Sequence, residues 1–220
     1  MTLTEKLSHE DINALPIRSY QGVIHFIRHE EEVDEAVKQI RQDHVLGFDI
    51  ESKPCFTKGE KNPPALLQLA ISDAVYIFRL IDLLLPESLC SLLASPDILK
   101  CGVALHDDLK DLNSLREFTP DGFVDLGVAA RRVGLQHHGL KGLAALLMGF
   151  RISKSSQRSN WASDRLTEKQ IMYAATDAWL SRELYFEMLH RGLYDPNAIP
   201  VEEEKKKEEE KKRVPKRQNS

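Results

Sequence analysis

Two acidic residues, Asp49 and Glu51, come directly after the apolar run VLGF in the segment VLGFDIES. Strand side chains alternate between the two faces of a sheet, so these carboxylates should project from the same face. Neighbouring carboxylates repel each other, and a divalent cation bound between them removes that cost. The pair therefore indicates a metal site, although many Asp-x-Glu pairs are simply solvated strand ends.

A further acid, Asp108, lies in the segment CGVALHDDLKDL, where an apolar strand runs directly into a helix. Aspartate at a helix N-terminus accepts hydrogen bonds from free amides of the first turn, so we interpret Asp107 as a cap. Asp108 is then free to point elsewhere. Helix capping alone is the simpler interpretation of this segment.

Tyr173 and Asp177 are four residues apart in the segment YAATD, within a predicted helix. Residues at this spacing lie on one helical face, so the phenol and the carboxylate can reach a common point. The small residues between them suit a close approach of the helix to a sheet. A surface tyrosine beside an acid is the alternative interpretation.

Taken together, these segments supply four carboxylates and one phenol. Mg²⁺ and Mn²⁺ prefer oxygen ligands, and four carboxylates can hold two such ions ~3.5–4 Å apart. In phosphoryl transfer, one ion lowers the pKa of the attacking water and the other stabilises the leaving oxygen. The uncharged phenol of Tyr173 can orient the water. The combination predicts phosphodiester chemistry with two metal ions.

The hydrophobic pattern around these residues alternates strands with helices. We predict strands at 45–52, 65–72, 75–80 and 98–105, and helices at 31–42, 86–95, 107–117, 125–133, 139–148 and 167–190. This order predicts an α/β fold in which helices flank a mixed β-sheet.

The length of 220 residues and the 42% apolar fraction suit a single domain with one hydrophobic core. We expect an irregular N-terminal lead-in at 1–22, the folded domain at 23–195 and a charged, disordered tail at 196–220. The basic end of the tail serves either solubility, nucleic-acid binding or nuclear import.

The composition excludes several classes of protein. No apolar run approaches the ~18 residues of a membrane span, so we expect no membrane partner. The acidic N-terminal segment does not resemble a signal peptide. Cys55, Cys90 and Cys101 lack CxxC spacing and cannot all pair, so we expect reduced thiols. These features predict a cytoplasmic protein, or a nuclear one in a eukaryote because of the basic tail.

Charge is unevenly distributed, although the net charge is only −4. Residues 1–130 hold 12 basic and 22 acidic residues, whereas residues 131–169 hold 8 basic and 2 acidic ones. Such a basic segment indicates either a polyanion site or a solvated helical surface. Trp161, near its end, either stacks on a base or, as we favour, anchors the loop. The candidate phosphate-binding residues of this segment are Arg151, Lys154, Ser155, Arg158 and Asn160.

The chain from about Val45 to Leu189 resembles the DEDD-type 3′–5′ exonucleases, in the tyrosine branch that includes ribonuclease D. Met172, rather than a histidine, lies five residues before Asp177, as in that branch. The resemblance implies a ribonuclease H-like fold. It is carried by GFDIES, ALLQLAIS, CGVALHDDLKDL, VDLGVAARRVG and SNWASDRLTEKQIMYAATDAW, the last of which is closest to the Werner syndrome helicase exonuclease domain.

The resemblance also implies roles for the site residues. It assigns Asp49, Glu51, Asp108 and Asp177 to two divalent ions, Mg²⁺ or Mn²⁺, and Tyr173 to positioning the attacking water. The implied reaction releases nucleoside monophosphates from the 3′ ends of single-stranded or 3′-recessed nucleic acid. We expect DNA to be favoured over RNA, and the sequence indicates no particular oligomeric state. Two alternatives stay open: a nucleic-acid-binding module without turnover, and a nuclease that cuts internally.

Overall fold

The computed structural model describes residues 6–55, 57 and 61–196. The predicted charged tail at 196–220 therefore lies, except for its first residue, outside the described residues. The same holds for the first five residues of the predicted lead-in.

Six strands form one mixed sheet in the order β1-β4-β3-β2-β5-β6. The central pairs β2–β3 and β3–β4 are antiparallel, and the outer pairs β1–β4, β2–β5 and β5–β6 are parallel. The prediction of an α/β fold with a mixed sheet is confirmed. The strands are β1 (Val23–Ile27), β2 (Val45–Ser52), β3 (Pro64–Ala70), β4 (Ala74–Arg79), β5 (Leu99–Gly102) and β6 (Phe123–Asp125).

Helices cover both faces of this sheet. Within the described ranges, none of them is long and apolar enough to span a membrane. They are α1 (His9–Ala14), α2 (Glu30–Ile40), α3 (Leu80–Leu83), α4 (Glu87–Leu93), α5 (Leu105–Leu115), α6 (Leu126–Arg132), α7 (Leu140–Leu143), which continues as a π-helical turn (Ala144–Met148), and α8 (Glu168–His190).

Side chains of alternating strand positions enter separate cores on the two faces. On one face, Leu67 and Leu69 of β3 pack with the apolar faces of α2, α4 and α5. On the other, Leu66 and Ala70 pack against α8. All residues of β3 are buried, and its side chains point alternately into one helical layer and the other.

Helix α8 lies unusually close to β2, because Gly47 has no side chain. A Cβ atom at Gly47 would lie only 1.9 Å from the carbonyl oxygen of Ala178. On α8, Ala174 and Ala175 are also completely buried. Small residues on both elements therefore allow the strand and the helix that carry the predicted site to touch.

Several elements differ from the sequence predictions. Strand β5 ends at Gly102 rather than at residue 105, because Ala104 adopts the left-handed conformation (φ 63°) and Leu105 already begins α5. The short strands β1 and β6 and the single-turn helix α3 were not predicted from the sequence.

The expectation of an irregular lead-in is also wrong for part of that segment, since residues 9–14 form α1. Ser8 and Asp11 make a reciprocal capping box at its start: the Ser8 hydroxyl accepts from the Asp11 amide, and the Asp11 carboxylate accepts from the Ser8 amide. The spacing Ser-x-x-Asp was the signal for this helix.

Candidate active site

Three carboxylates converge where β2 meets α8. Asp49, Glu51 and Asp177 each offer an oxygen atom, and these three atoms lie within 4.8 Å of one another. Asp49 and Glu51 share one face of β2, as the strand periodicity predicted, and Asp177 approaches them from the buried face of α8. One Asp177 oxygen, Oδ1, is buried and has no hydrogen-bond partner in the described structure.

Burial and mutual repulsion disfavour the charged forms of these acids. Burial raises the pKa of Asp49 well above its usual range, and the charges of Glu51 and Asp177 raise it further. The same causes raise the pKa of Glu51 to about 9, and burial raises that of Asp177 to about 6. An all-oxygen set of this kind, with an unpartnered oxygen, fits a hard divalent cation.

Asp108 lies beside this cluster rather than within it. It belongs to the first turn of α5 and is partly buried. Burial raises its pKa to about 7, with contributions from Asp111 and Asp107. Its charge in turn raises the pKa of Asp49 and of Glu51, so Asp108 borders the same region. The structure thus brings three of the four predicted acids into direct proximity.

The start of α5 is capped by Asp125 and not, as we predicted, by Asp107. Asp125 Oδ2 accepts from the amide of Leu105 at 3.1 Å, and its Oδ1 accepts from the amide of Val128 at 3.0 Å. One carboxylate therefore serves the first turns of both α5 and α6. Asp107 is exposed in the first turn of α5.

Tyr173 is buried beside the carboxylates. Burial raises the pKa of its phenol, and the negative charges of Asp177 and Glu51 raise it further. The hydroxyl therefore stays protonated at neutral pH. It contributes a hydrogen bond that favours the charged form of Asp177, and it accepts one from Lys141 Nζ at 3.3 Å.

Lys141 is the member of this site that the sequence analysis missed. Its Nζ lies 5.3 Å from the centre of the Tyr173 ring and also donates to Gln157 Oε1 at 3.3 Å. Burial lowers the pKa of Lys141, while the charge of Asp177 partly offsets that effect. The only signal in the sequence was its position in the basic segment, because 32 residues separate it from Tyr173.

The predicted phosphate-binding residues are spread along one loop. Arg151 Nε donates to the carbonyl oxygen of Leu15 at 3.1 Å, so part of its guanidinium is already engaged. Lys154 and Ser155 are exposed next to it, and Arg158 and Asn160 are exposed farther along the same loop.

Trp161, which ends this loop, is completely buried. Its ring centre lies 5.9 Å from that of Tyr173. The favoured interpretation, an indole that anchors the loop, is confirmed, and stacking on a base is excluded by this burial.

A cavity of about 400 Å³ opens beside Tyr173 and Asp177. Residues 17–19, residues 152, 153 and 155, and further residues of α8 (Glu168, Lys169, Met172 and Thr176) also line it. Its lining combines apolar surface with hydroxyl groups and with the charged residues Arg18, Glu168, Lys169 and Asp177, and apolar pockets with a few polar groups are typical of small-molecule sites.

Comparison with known proteins identifies a family match over most of the chain. A family model described as 3′–5′ exonuclease matches residues 24–192. The mouse bifunctional 3′–5′ exonuclease/ATP-dependent helicase WRN is 33% identical over 156 residues, which cover 67% of this chain and 11% of that protein. Ribonuclease D of Gluconacetobacter diazotrophicus is 31% identical over 168 residues, covering 73% of this chain and 41% of that enzyme. The chain thus spans less than half the length of these curated relatives.

A solved structure supports the same architecture. The EXO domain of Nibbler from Aedes aegypti superposes with a TM-score of 0.69 at 23% identity, covering 81% of this chain and 94% of that domain. This similarity confirms the predicted ribonuclease H-like fold.

Proposed function

Because the chain belongs to the 3′–5′ exonuclease family, we propose that it hydrolyses the terminal phosphodiester bond of a nucleic-acid strand and releases nucleoside monophosphates from the 3′ end. The observation that carries this proposal is the convergence of Asp49, Glu51 and Asp177 within 4.8 Å. Binding alone has no use for three converging, mutually repelling carboxylates, of which one is buried and two are partly buried, whereas metal-assisted hydrolysis does.

Asp49, Glu51, Asp108 and Asp177 are the residues that would hold two divalent ions, Mg²⁺ or Mn²⁺, with the first, second and fourth of them already converging on one point. When bound, such ions supply an activated water and stabilise charge on the leaving oxygen. Asp108 lies beside the cluster, and its charge raises the pKa of both Asp49 and Glu51, which supports including it among the ligands.

Tyr173 orients the attacking water in this proposal. Its phenol stays neutral, so it adds no further anion to a site that already holds several carboxylates. Lys141 fixes the hydroxyl through the 3.3 Å hydrogen bond and partly neutralises the carboxylates. The two residues together hold a polar group at a constant position next to the scissile bond.

The substrate in this proposal is a single-stranded or 3′-recessed end, with DNA favoured over RNA. The terminal nucleotide occupies the 400 Å³ cavity beside Tyr173 and Asp177. Its neighbouring phosphates contact the basic loop at Arg151, Lys154, Ser155, Arg158 and Asn160.

We also assign the protein to the cytosol, or to the nucleus in a eukaryote. Cys90 and Cys101 are buried thiols, which are typical of reducing compartments.

The test is a nuclease assay with Mn²⁺ or Mg²⁺ on matched DNA and RNA oligonucleotides, one set labelled at the 5′ end and the other on the 3′-terminal nucleotide. A ladder that shortens from the 3′ end, with mononucleotide products, supports the proposal. Internal cuts would indicate the alternative nuclease, and binding without cleavage would indicate a module without turnover. Undiminished cleavage in excess EDTA would exclude the metal mechanism.

A further inference from the structure

A second cavity, which we call the N-terminal groove, lies next to the active site. It has a volume of about 910 Å³. Residues 6–13 form one wall, and residues 139–142 and 151–154 form the other. The first wall lies outside residues 24–192, which match the family model. The groove is therefore built partly by a segment that the family match does not include.

The N-terminal wall is firmly attached to the domain. Leu7 is buried, and its amide donates to His137 Nε2 at 3.0 Å. Farther along, Arg151 pairs with Ile17 as a parallel bridge, and its amide donates to the carbonyl oxygen of Pro16 at 2.9 Å. These contacts hold the segment against the rest of the domain.

The charge of the groove is of one sign. Lys6, Lys141, Arg151 and Lys154 line it, and no carboxylate does so among the described residues. The cations lie close enough together that Lys154 lowers the pKa of Lys141. Serine hydroxyls and glycine backbone also line the groove, and such groups commonly donate hydrogen bonds to phosphates.

The groove adjoins the part of the active site that holds Tyr173. Lys141, which lines it, is also the residue that donates to the Tyr173 hydroxyl at 3.3 Å. If the 3′-terminal nucleotide lies at the carboxylate cluster, the rest of the strand must leave toward its 5′ side. A groove with this charge and this connection is suited to the phosphates of that departing strand.

We propose that the N-terminal groove binds the substrate strand on the 5′ side of the scissile bond, with Lys6 and Lys154 as phosphate contacts. This inference rests on the proposed exonuclease function and extends it. The segment 6–13 thus enlarges the nucleic-acid-binding surface beyond the loop at 151–160. Longer strands are bound better than short ones until the groove is filled.

The test compares the double variant Lys6→Glu/Lys154→Glu with the wild type on substrates of increasing length. Both lysines are exposed. The substrates are the p-nitrophenyl ester of a nucleoside 5′-monophosphate, which has no 5′ chain, and single-stranded oligonucleotides of rising length. Lys38→Glu/Arg116→Glu is the matched control, since both residues are exposed, Lys38 lies on α2, and Arg116 directly follows α5 on the same face of the sheet.

We expect the KM for a long oligonucleotide to rise by about tenfold more than the KM for the ester. The slope of log K against log salt concentration should become less negative by about 1.4, which is about 0.7 for each of the two lost phosphate contacts. The control variant should keep the wild-type length dependence and slope.

Equal changes in KM for the ester and the long strand, or a groove variant indistinguishable from the control, would overturn the proposal that the groove binds the strand. If the wild type cleaves neither the ester nor the oligonucleotides, the proposed function itself is overturned. The two failures are therefore distinguishable.

Discussion

Asp177 is buried with one unpartnered oxygen, next to two other carboxylates. A bound cation offsets the negative charge of this carboxylate. In the absence of the cation, the same buried charge opposes folding. Asp177→Asn keeps the shape and removes the charge. We expect activity to fall by about a thousandfold or more, because a metal ligand is weakened.

The stability of the same variant should move in the opposite direction. In EDTA, Asp177→Asn should unfold at a higher temperature than the wild type, since one buried charge is lost. Circular dichroism melts and nuclease rates on one preparation measure both effects. Full activity in the variant would remove Asp177 from the site.

Tyr173→Phe removes a hydroxyl group and leaves the ring in its packing beside Trp161. We expect kcat to fall by roughly ten- to hundredfold, with little change in KM, because one water-orienting contact is lost while the metal ligands stay. Steady-state kinetics on a single oligonucleotide measure this. An unchanged kcat would show that the phenol does not take part in the reaction.

Gln68 is a buried polar residue next to the site, and its side-chain amide has no hydrogen-bond partner in the described structure. It lies opposite Asp49 in the β2–β3 register and is completely buried. Replacement by the isosteric apolar residue, Gln68→Met, should therefore stabilise the protein by about 1–3 kcal/mol. Urea titration measures the change, and destabilisation would mean that the amide has a bound partner in solution.

At the scale of elements, the site depends on the contact between β2 and α8. Both were predicted within one or two residues, because β2 has a clear apolar run and α8 begins with a capping box of Thr167 and Gln170. The elements that the sequence analysis missed are short: β6 has only three residues, too few for periodicity to appear.

Gly47→Ala tests this contact. The added methyl group would lie 1.9 Å from the Ala178 carbonyl, which is backbone and cannot rotate away. We expect a loss of about 3 kcal/mol of stability and a large loss of activity, since α8 must move away from β2. Thermal unfolding measures the first effect. Gly139→Ala is the control, because that position has no neighbouring atoms within 4 Å and an ordinary φ of −89°, so it adds a methyl group without a clash.

At the scale of the whole molecule, the buried acids make stability depend on pH and metal. Folding raises the pKa of Glu51 from 4.5 to about 9 and that of Asp177 from 3.8 to about 6. As pH rises, these carboxylates ionise first in the unfolded state, so the unfolded state becomes relatively more favourable. Their contribution to stability is present below about pH 4 and is lost by about pH 9.

We therefore expect the Tm of the metal-free protein to decrease as the pH rises from 5 to 9. This window is set by the pKa values of Glu51 and Asp177 in the unfolded and folded states. Mg²⁺ or Mn²⁺ should restore it most strongly at the alkaline end, because binding requires deprotonated ligands. Melts in EDTA and in excess metal at several pH values measure this. A Tm independent of metal at every pH would contradict the assigned ligands.

The sequence by itself determined those features that depend on local periodicity. The shared face of Asp49 and Glu51 follows from the two-residue repeat of a strand, and the pairing of Tyr173 with Asp177 follows from the four-residue spacing of a helix. Only the tertiary structure decided that Lys141 reaches Tyr173 and that residues 6–13 wall a basic groove. These contacts join residues 32 to 130 positions apart, and the packing of whole elements, not the local backbone, sets such distances.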